Sequence, residues 1–139
     1  MTPSIAAGYS GTPLAKKLGI KQGSQVLLVG APDDYESLLA PLPPGVVFQA
    51  QAGEGIDLVQ VFVTRRAELE KHLASLRRKL RTDVPAWVSW PKKSAKVPTD
   101  ITEDTIRAVA VPLGFVDIKV CAVSEVWSGL KLVVRKELR

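Results

Sequence analysis

The chain has 139 residues, 46% of them apolar and 24% charged, with a single cysteine. That is globular composition at the length of one domain, and a chain of this size buries roughly 70% of its unfolded surface. Cys121 has no second cysteine to pair with, which excludes an internal disulfide and fits a reducing, cytoplasmic setting.

The net charge is +5 and the isoelectric point about 9.5. A basic balance admits an anionic partner, but lysines and arginines here sit mostly among acids on expected helix surfaces or in the closing Lys136 to Arg139 stretch. Met1 to Tyr9 lacks a charged leader followed by a long apolar run, so a signal peptide is not expected. No apolar stretch approaches the roughly 20 residues of a membrane helix.

In chain order, residues 1–11 read as an N-terminal arm. Thr12 is then placed to cap a short helix, Pro13 to occupy its first turn and Gly19 to close it. Gln25 to Gly30 is a continuous apolar run between glycines, the pattern of a strand covered on both faces. Asp33 or Asp34 can cap a short helix through Leu39, which Pro41, Pro43 and Pro44 prevent from continuing. Val46 to Ala50 is a second strand, followed by a Gly53-Glu54-Gly55 loop and a third, Leu58 to Val63.

Thr64 is a candidate cap for the next helix, where Leu69, Leu73, Leu76 and Leu80 fall on one face. Ala86 to Trp90 is a fourth strand ending at Pro91, and Lys92 to Thr99 a polar loop. Asp100 and Glu103 have capping-box spacing before a helix that carries Ile106, Val109, Ala110 and Leu113, with Pro112 marking its early end. Phe115 to Val123 and Leu130 to Arg135 close the chain as strands. The link Ser124 to Gly129 is short enough to require an antiparallel pair.

Strands alternating with helices predict a single Rossmann-like α/β domain over 1–139: a three-layer sandwich with a mostly parallel sheet of about six strands and a C-terminal antiparallel pair. One join is open. Gln51 to Ile56 is too short for a crossover helix, so either an extended segment crosses the sheet edge or the second and third strands form an antiparallel hairpin.

From about Asp57 to Lys136 the layout resembles the later two-thirds of a class I methyltransferase domain. The strand Asp57-Leu58-Val59-Gln60-Val61-Phe62 leads to a long helix, then to Trp87-Val88-Ser89-Trp90-Pro91-Lys92, a helix, and Gly114-Phe115 opening the closing strand pair. Nearly the whole chain is also similar to a bacterial family of short proteins of unassigned function. The similar segments are Ala7-Gly8-Tyr9-Ser10-Gly11-Thr12-Pro13-Leu14, Trp90-Pro91-Lys92-Lys93, Asp117-Ile118-Lys119-Val120-Cys121-Ala122-Val123 and Trp127-Ser128-Gly129-Leu130-Lys131-Leu132. The methyltransferase resemblance implies S-adenosylmethionine, held by a glycine-rich turn after the first strand and an acid at the end of the second. In this sequence those places hold Gly30-Ala31-Pro32-Asp33-Asp34 and Phe48-Gln49-Ala50-Gln51, with Glu54 the nearest carboxylate. No cofactor is therefore predicted, and S-adenosylmethionine belongs to the alternative reading.

No catalytic residue is assigned. His72 is the only histidine and lies off the leucine face, where it reads as solvated. One Cys and one His make no zinc site, no P-loop spacing occurs, and Cys121 within a strand reads as a buried thiol.

One constellation is expected where parallel strands end together, the edge at which open α/β sheets bind ligands. There Gly30, Pro32, Trp90, Lys92, Lys93, Trp127, Ser128 and Lys131 are the candidates, with the two indoles and the ammonium groups suiting a flat anionic ligand. The packing alternative has Trp90 capping the core and Trp127 plugging the hairpin.

The sequence thus favours a non-catalytic or catalytically reduced domain that binds a small anionic ligand or a protein partner. The alternatives are a methyltransferase-like enzyme with a divergent cofactor site and a nucleic-acid accessory protein. Lys93 and Lys96 would meet phosphates in the last case, though neither a stacking platform nor a recognition-helix pattern accompanies them.

Overall fold

A computed structural model describes residues 12–139, so the expected arm at 1–11 lies outside the described residues. Its strands are β1 (Gln25–Val29), β2 (Val47–Gln49), β3 (Leu58–Phe62), β4 (Ala86–Pro91), β5 (Phe115–Ala122) and β6 (Trp127–Val134). Its helices are α1 (Leu14–Leu18), α2 (Tyr35–Leu39), α3 (Arg66–Lys79) and α4 (Glu103–Ala110), with 3₁₀ turns at Lys93–Ala95, Val111–Leu113 and Lys136–Leu138.

The strands form one six-stranded sheet in the order β2-β1-β3-β4-β6-β5. β2, β1, β3 and β4 are parallel, and β6 runs antiparallel to both β4 and β5. The open join resolves here. β2 and β3 do not pair; they flank β1, and residues 50–57 return the chain across β1 without a helix, through a turn closed by the Ile56 N–H donating to the Gly53 carbonyl at 3.3 Å. Ala52 and the buried Ile56 pin that segment onto the face covered by α3 and α4.

Alternation along each strand sorts the core into two layers. Val59, Val61, Val88, Trp90, Leu130, Leu132 and Val134 meet the leucines of α3 and Ile106, Val109 and Ala110 of α4. On the opposite face Val26, Leu58, Phe62, Trp87 and Cys121 meet Ala15 and Leu18 of α1 and Tyr35 and Leu39 of α2. Trp87 is wholly buried, and its indole N–H donates to the Leu18 carbonyl at 2.8 Å, so the short α1 is held by a directed bond as well as by the packing of Ala15 and Leu18.

Helix starts depart from the expected caps. Pro13, not Thr12, occupies the cap position of α1, with extended ψ of 143°, while Gly19 ends the helix in the left-handed conformation as expected. Asp34 takes the cap position of α2 without a side-chain cap bond. For α3 the cap position falls on Arg65, and Thr64 contributes its carbonyl instead, accepting from the Thr99 hydroxyl at 2.7 Å. α4 is capped by Thr102, whose hydroxyl accepts from the Thr105 N–H while the Thr105 hydroxyl accepts from the Thr102 N–H. That displaces the expected Asp100–Glu103 box by two residues and frees Asp100 for another task.

β6 begins three residues earlier than expected. Gly129 is therefore inside a strand, where a Cβ would lie 3.2 Å from both the Trp87 ring and a Val123 methyl. Its lack of a side chain serves close packing against Trp87 and not a turn.

Candidate functional site

β1, β3, β4 and β5 end on one edge of the sheet. Since the chain leaves β1 for β2 on one side and reaches β3 on the other, the reversal point lies between β1 and β3. β1 is paired on both sides, by β2 and β3, yet Leu28 and Val29 are only half-buried and Gly30 is exposed, whereas all of β3 is buried. The carboxyl end of this interior strand is thus less covered than its neighbour β3.

Gly30 turns the chain there with φ of 69°, and a Cβ on it would sit 2.7 Å from the Phe62 carbonyl oxygen. This position needs glycine both for its left-handed backbone and for its approach to β3. Below the turn runs a row of aromatic rings. Tyr35 meets Phe62 edge-on at 5.1 Å, and Phe62 meets Trp127 edge-on at 5.1 Å. Burial raises the Tyr35 hydroxyl well above the ordinary tyrosine range, so it stays protonated, and its oxygen has no hydrogen-bond partner among the described residues.

The neighbouring loops are tied down by backbone bonds. The Lys92 N–H donates to the Val126 carbonyl at 2.7 Å, and the Ser124 hydroxyl accepts from the N–H groups of Val126 and Trp127 at 3.1 Å each. Lys92 is half-buried and Lys93 exposed at the start of the 3₁₀ turn that follows.

The expected constellation is divided by this geometry. Gly30, Pro32, Lys92, Lys93 and Trp127 lie along the carboxyl edge. Trp90 is buried among the residues facing α3 and α4, while Trp127 is half-buried on the face of α1 and α2, so the two indoles belong to opposite sides of the sheet. Ser128 pairs with Trp90 in register and is half-buried. Lys131 lies farther along β6, opposite Trp87, with its ammonium 5.9 Å from the centroid of that ring. It belongs to the other edge. His72 is half-buried, which corrects its reading as a solvated residue, and Cys121 is buried, its thiol pushed up by burial against the opposing influence of Lys17 and Lys119.

Tyr35 and Phe62 were not foreseen as parts of this edge. Phe62 could have been found from the alternation of β3, which puts it on the opposite face from Val59 and Val61.

Comparison with solved structures agrees with this topology. A protein from Sulfolobus solfataricus described as a candidate type 11 methyltransferase superposes with a TM-score of 0.63 at 13% identity, over 88% of this chain and 90% of that one. The fold is that of the class I methyltransferases. Aeropyrum pernix fibrillarin, solved with natively bound S-adenosyl-L-methionine, gives 0.59 at 14% identity over 86% and 73% of the two chains. A riboflavin-derivative dimethyltransferase from Streptomyces davawensis gives 0.60 at 10% identity over 81% and 50%. No family model and no curated protein sequence matches the chain.

Tested against this methyltransferase-like fold, the residues present are a poor match to S-adenosylmethionine. The turn after β1 is drawn against the Phe62 carbonyl and followed by the exposed Asp33 and Asp34, and α2 is only five residues long. β2 ends at Gln49, and no carboxylate stands at its end to receive ribose hydroxyls. Among the described residues no cluster of His, Cys, Asp and Glu could hold a metal ion, and no helix is long and apolar enough to cross a membrane.

Proposed function

We propose that this methyltransferase-like domain binds a small, flat anionic ligand at the carboxyl edge of its sheet and does not transfer a methyl group. The observation that carries the proposal is the partly covered end of β1 at the reversal point, where Leu28 and Val29 are half-buried and Gly30 is exposed. In open α/β sheets that crevice is the place ligands occupy. Trp127 supplies an aromatic body beside it, and Lys92 and Lys93 supply charge. The glutamine at the end of β2 removes the carboxylate that would receive the ribose hydroxyls of S-adenosylmethionine, and the lysines that would meet the anion lie on the β4 side of the edge, away from the exposed Asp33 and Asp34.

The test is a calorimetric titration of the full chain with S-adenosylhomocysteine, with a parallel titration by adenosine monophosphate read through tryptophan fluorescence. The expected result is no heat with the first and saturable quenching with the second, weakened at least tenfold in Trp127→Phe and in Lys92→Gln. Micromolar binding of S-adenosylhomocysteine would instead favour the second reading, a methyltransferase with a divergent cofactor site, which the likeness to S-adenosylmethionine-bound fibrillarin supports at the level of fold.

A further inference from the structure

At the opposite, amino edge of the parallel strands lies a hollow of about 470 Å³, lined among others by Lys21, Gly23, Ser24, Asp57 and Lys131. Its charge balance is unusual. Lys119 of β5 and Lys131 of β6 stand directly opposite each other in the antiparallel register, both on the face that carries Trp87 and Cys121. Like charges so placed oppose strand pairing. Lys21 adds a third ammonium: repulsion from Lys119 and Lys21, after the larger effect of burial, makes Lys131 easier to deprotonate than an ordinary lysine.

Among the described residues no carboxylate forms an ion pair with these lysines. All seven ion pairs among the described residues are made by arginines. The one carboxylate lining the hollow, Asp57, already accepts from the Gln25 N–H at 2.8 Å and faces Arg81 at 3.8 Å. The turn that presents Lys21 is fixed by the Ser24 hydroxyl, which accepts from the Lys21 N–H at 2.9 Å, and by the Ser24 N–H, which donates to the Lys21 carbonyl at 3.0 Å. Lys131 is held half-buried with its ammonium over the face of Trp87. Two of the three cations are thus presented by ordered structure.

From this juxtaposition we propose that the hollow lined by Lys21 and Lys131, with Lys119 beside Lys131 on the neighbouring strand, is a binding site for a small polyanion of the phosphate class. Three ammonium groups without a guanidinium fork act as point charges, which suits a compact, multiply charged phosphate more than a planar carboxylate. The volume lies within the range of small-molecule sites and exceeds what a single orthophosphate fills, which leaves room for a polyphosphate or for a phosphate carried on a larger polar body. The site is on the other edge of the sheet from the crevice near Gly30, and it stands or falls without it.

The experiment is a thermal-shift and calorimetric titration of the full chain with sodium orthophosphate, sodium pyrophosphate and adenosine diphosphate at low ionic strength. Pyrophosphate and adenosine diphosphate are expected to raise the melting temperature saturably, with affinity falling as salt is added. Lys119→Gln and Lys131→Met should each weaken binding at least tenfold, while a Lys92→Gln/Lys93→Gln double variant leaves it intact. Lys119→Glu should melt higher than the wild type without anion, since it turns a repulsion into an ion pair, and should no longer respond to the anions. Lys119 is exposed, so its variants remain informative if Lys131→Met does not fold. Adenosine diphosphate binding tenfold tighter than pyrophosphate would assign the site to the phosphate of a larger molecule; equal affinity would assign it to free polyphosphate. No saturable shift with any of the three, or an undiminished response in Lys119→Glu, overturns the proposal.

Discussion

The carboxylate of Asp100 accepts the backbone N–H of Arg66 at 2.7 Å, capping α3 from a position 34 residues away. The helix has no cap from its own preceding residues, and the Asp100 N–H in turn reaches the Thr64 carbonyl at 3.3 Å. The loop after β4 is therefore part of the α3 terminus. Asp100→Ala should destabilise the protein by about 1 kcal/mol, the usual worth of a helix cap, and lower Tm by a few degrees. Asp100→Asn should recover most of the loss. Equal stability of Asp100→Ala and the wild type in urea unfolding would show that the cap contributes nothing.

Gly30 allows the reversal between β1 and β3. Alanine there must adopt φ of 69° and bring its Cβ to 2.7 Å from the Phe62 carbonyl oxygen, which is backbone and has little room to give. Gly30→Ala is expected to cost at least about 2 kcal/mol, combining left-handed strain with steric displacement of β3. Gly53→Ala, where nothing lies within 4 Å, is the matched control and should change stability little.

Gln60 is wholly buried on the face of α1 and α2, and neither its side-chain oxygen nor its nitrogen has a hydrogen-bond partner among the described residues. Leaving such an amide unpaired costs about 1–3 kcal/mol. Gln60→Leu keeps much of the volume and removes that cost, so it should stabilise the protein by about 1 kcal/mol or more. A loss of stability in the same variant would mean that the amide is paired in solution.

Lys131 gives a pH-dependent signature. Burial first, then Lys119 and Lys21, lower its pKa in the folded chain, while Asp57 is the acid lining the same hollow. The unfolded chain therefore holds this proton more tightly than the folded one, and stability from this residue rises as pH climbs through the lowered folded value toward the ordinary lysine value. Lys131→Met keeps an apolar stem against Trp87 without the charge. It should unfold at a higher urea concentration than the wild type near neutral pH, and the difference should shrink in the alkaline range just below the ordinary lysine value. A difference independent of pH would mean that packing and not charge sets it.

The strands and helices were legible because their apolar residues repeat with the period of each element. Leu69, Leu73 and Leu76 are buried on one face of α3, and the continuous runs of β1, β3 and β4 lie inside a sheet covered on both faces. The antiparallel pairing of the two closing strands was also legible, since the link between β5 and β6 is too short for a parallel crossover, whereas the insertion of β6 between β4 and β5 was not. Helix ends were less so. A cap is one hydrogen bond, and α3 took it from Asp100 rather than from Thr64 because folding brought a better-placed carboxylate from a distant loop.

What the sequence by itself determined is the class of fold, the alternation of its elements and the absence of glycine-rich and acidic cofactor signatures at the expected places. These follow from local rules of period, turn and residue type. Only the tertiary structure decided that β2 and β3 flank β1, that Trp90 and Trp127 face opposite layers, and that Lys131 joins Lys21 and Lys119 instead of Lys92. Each of those depends on strand register and on which face of a strand a residue takes in the assembled sheet. A shift of one residue along a strand reverses the face, and contacts between residues more than a hundred positions apart, such as Lys21 and Lys131, leave no local pattern in the chain.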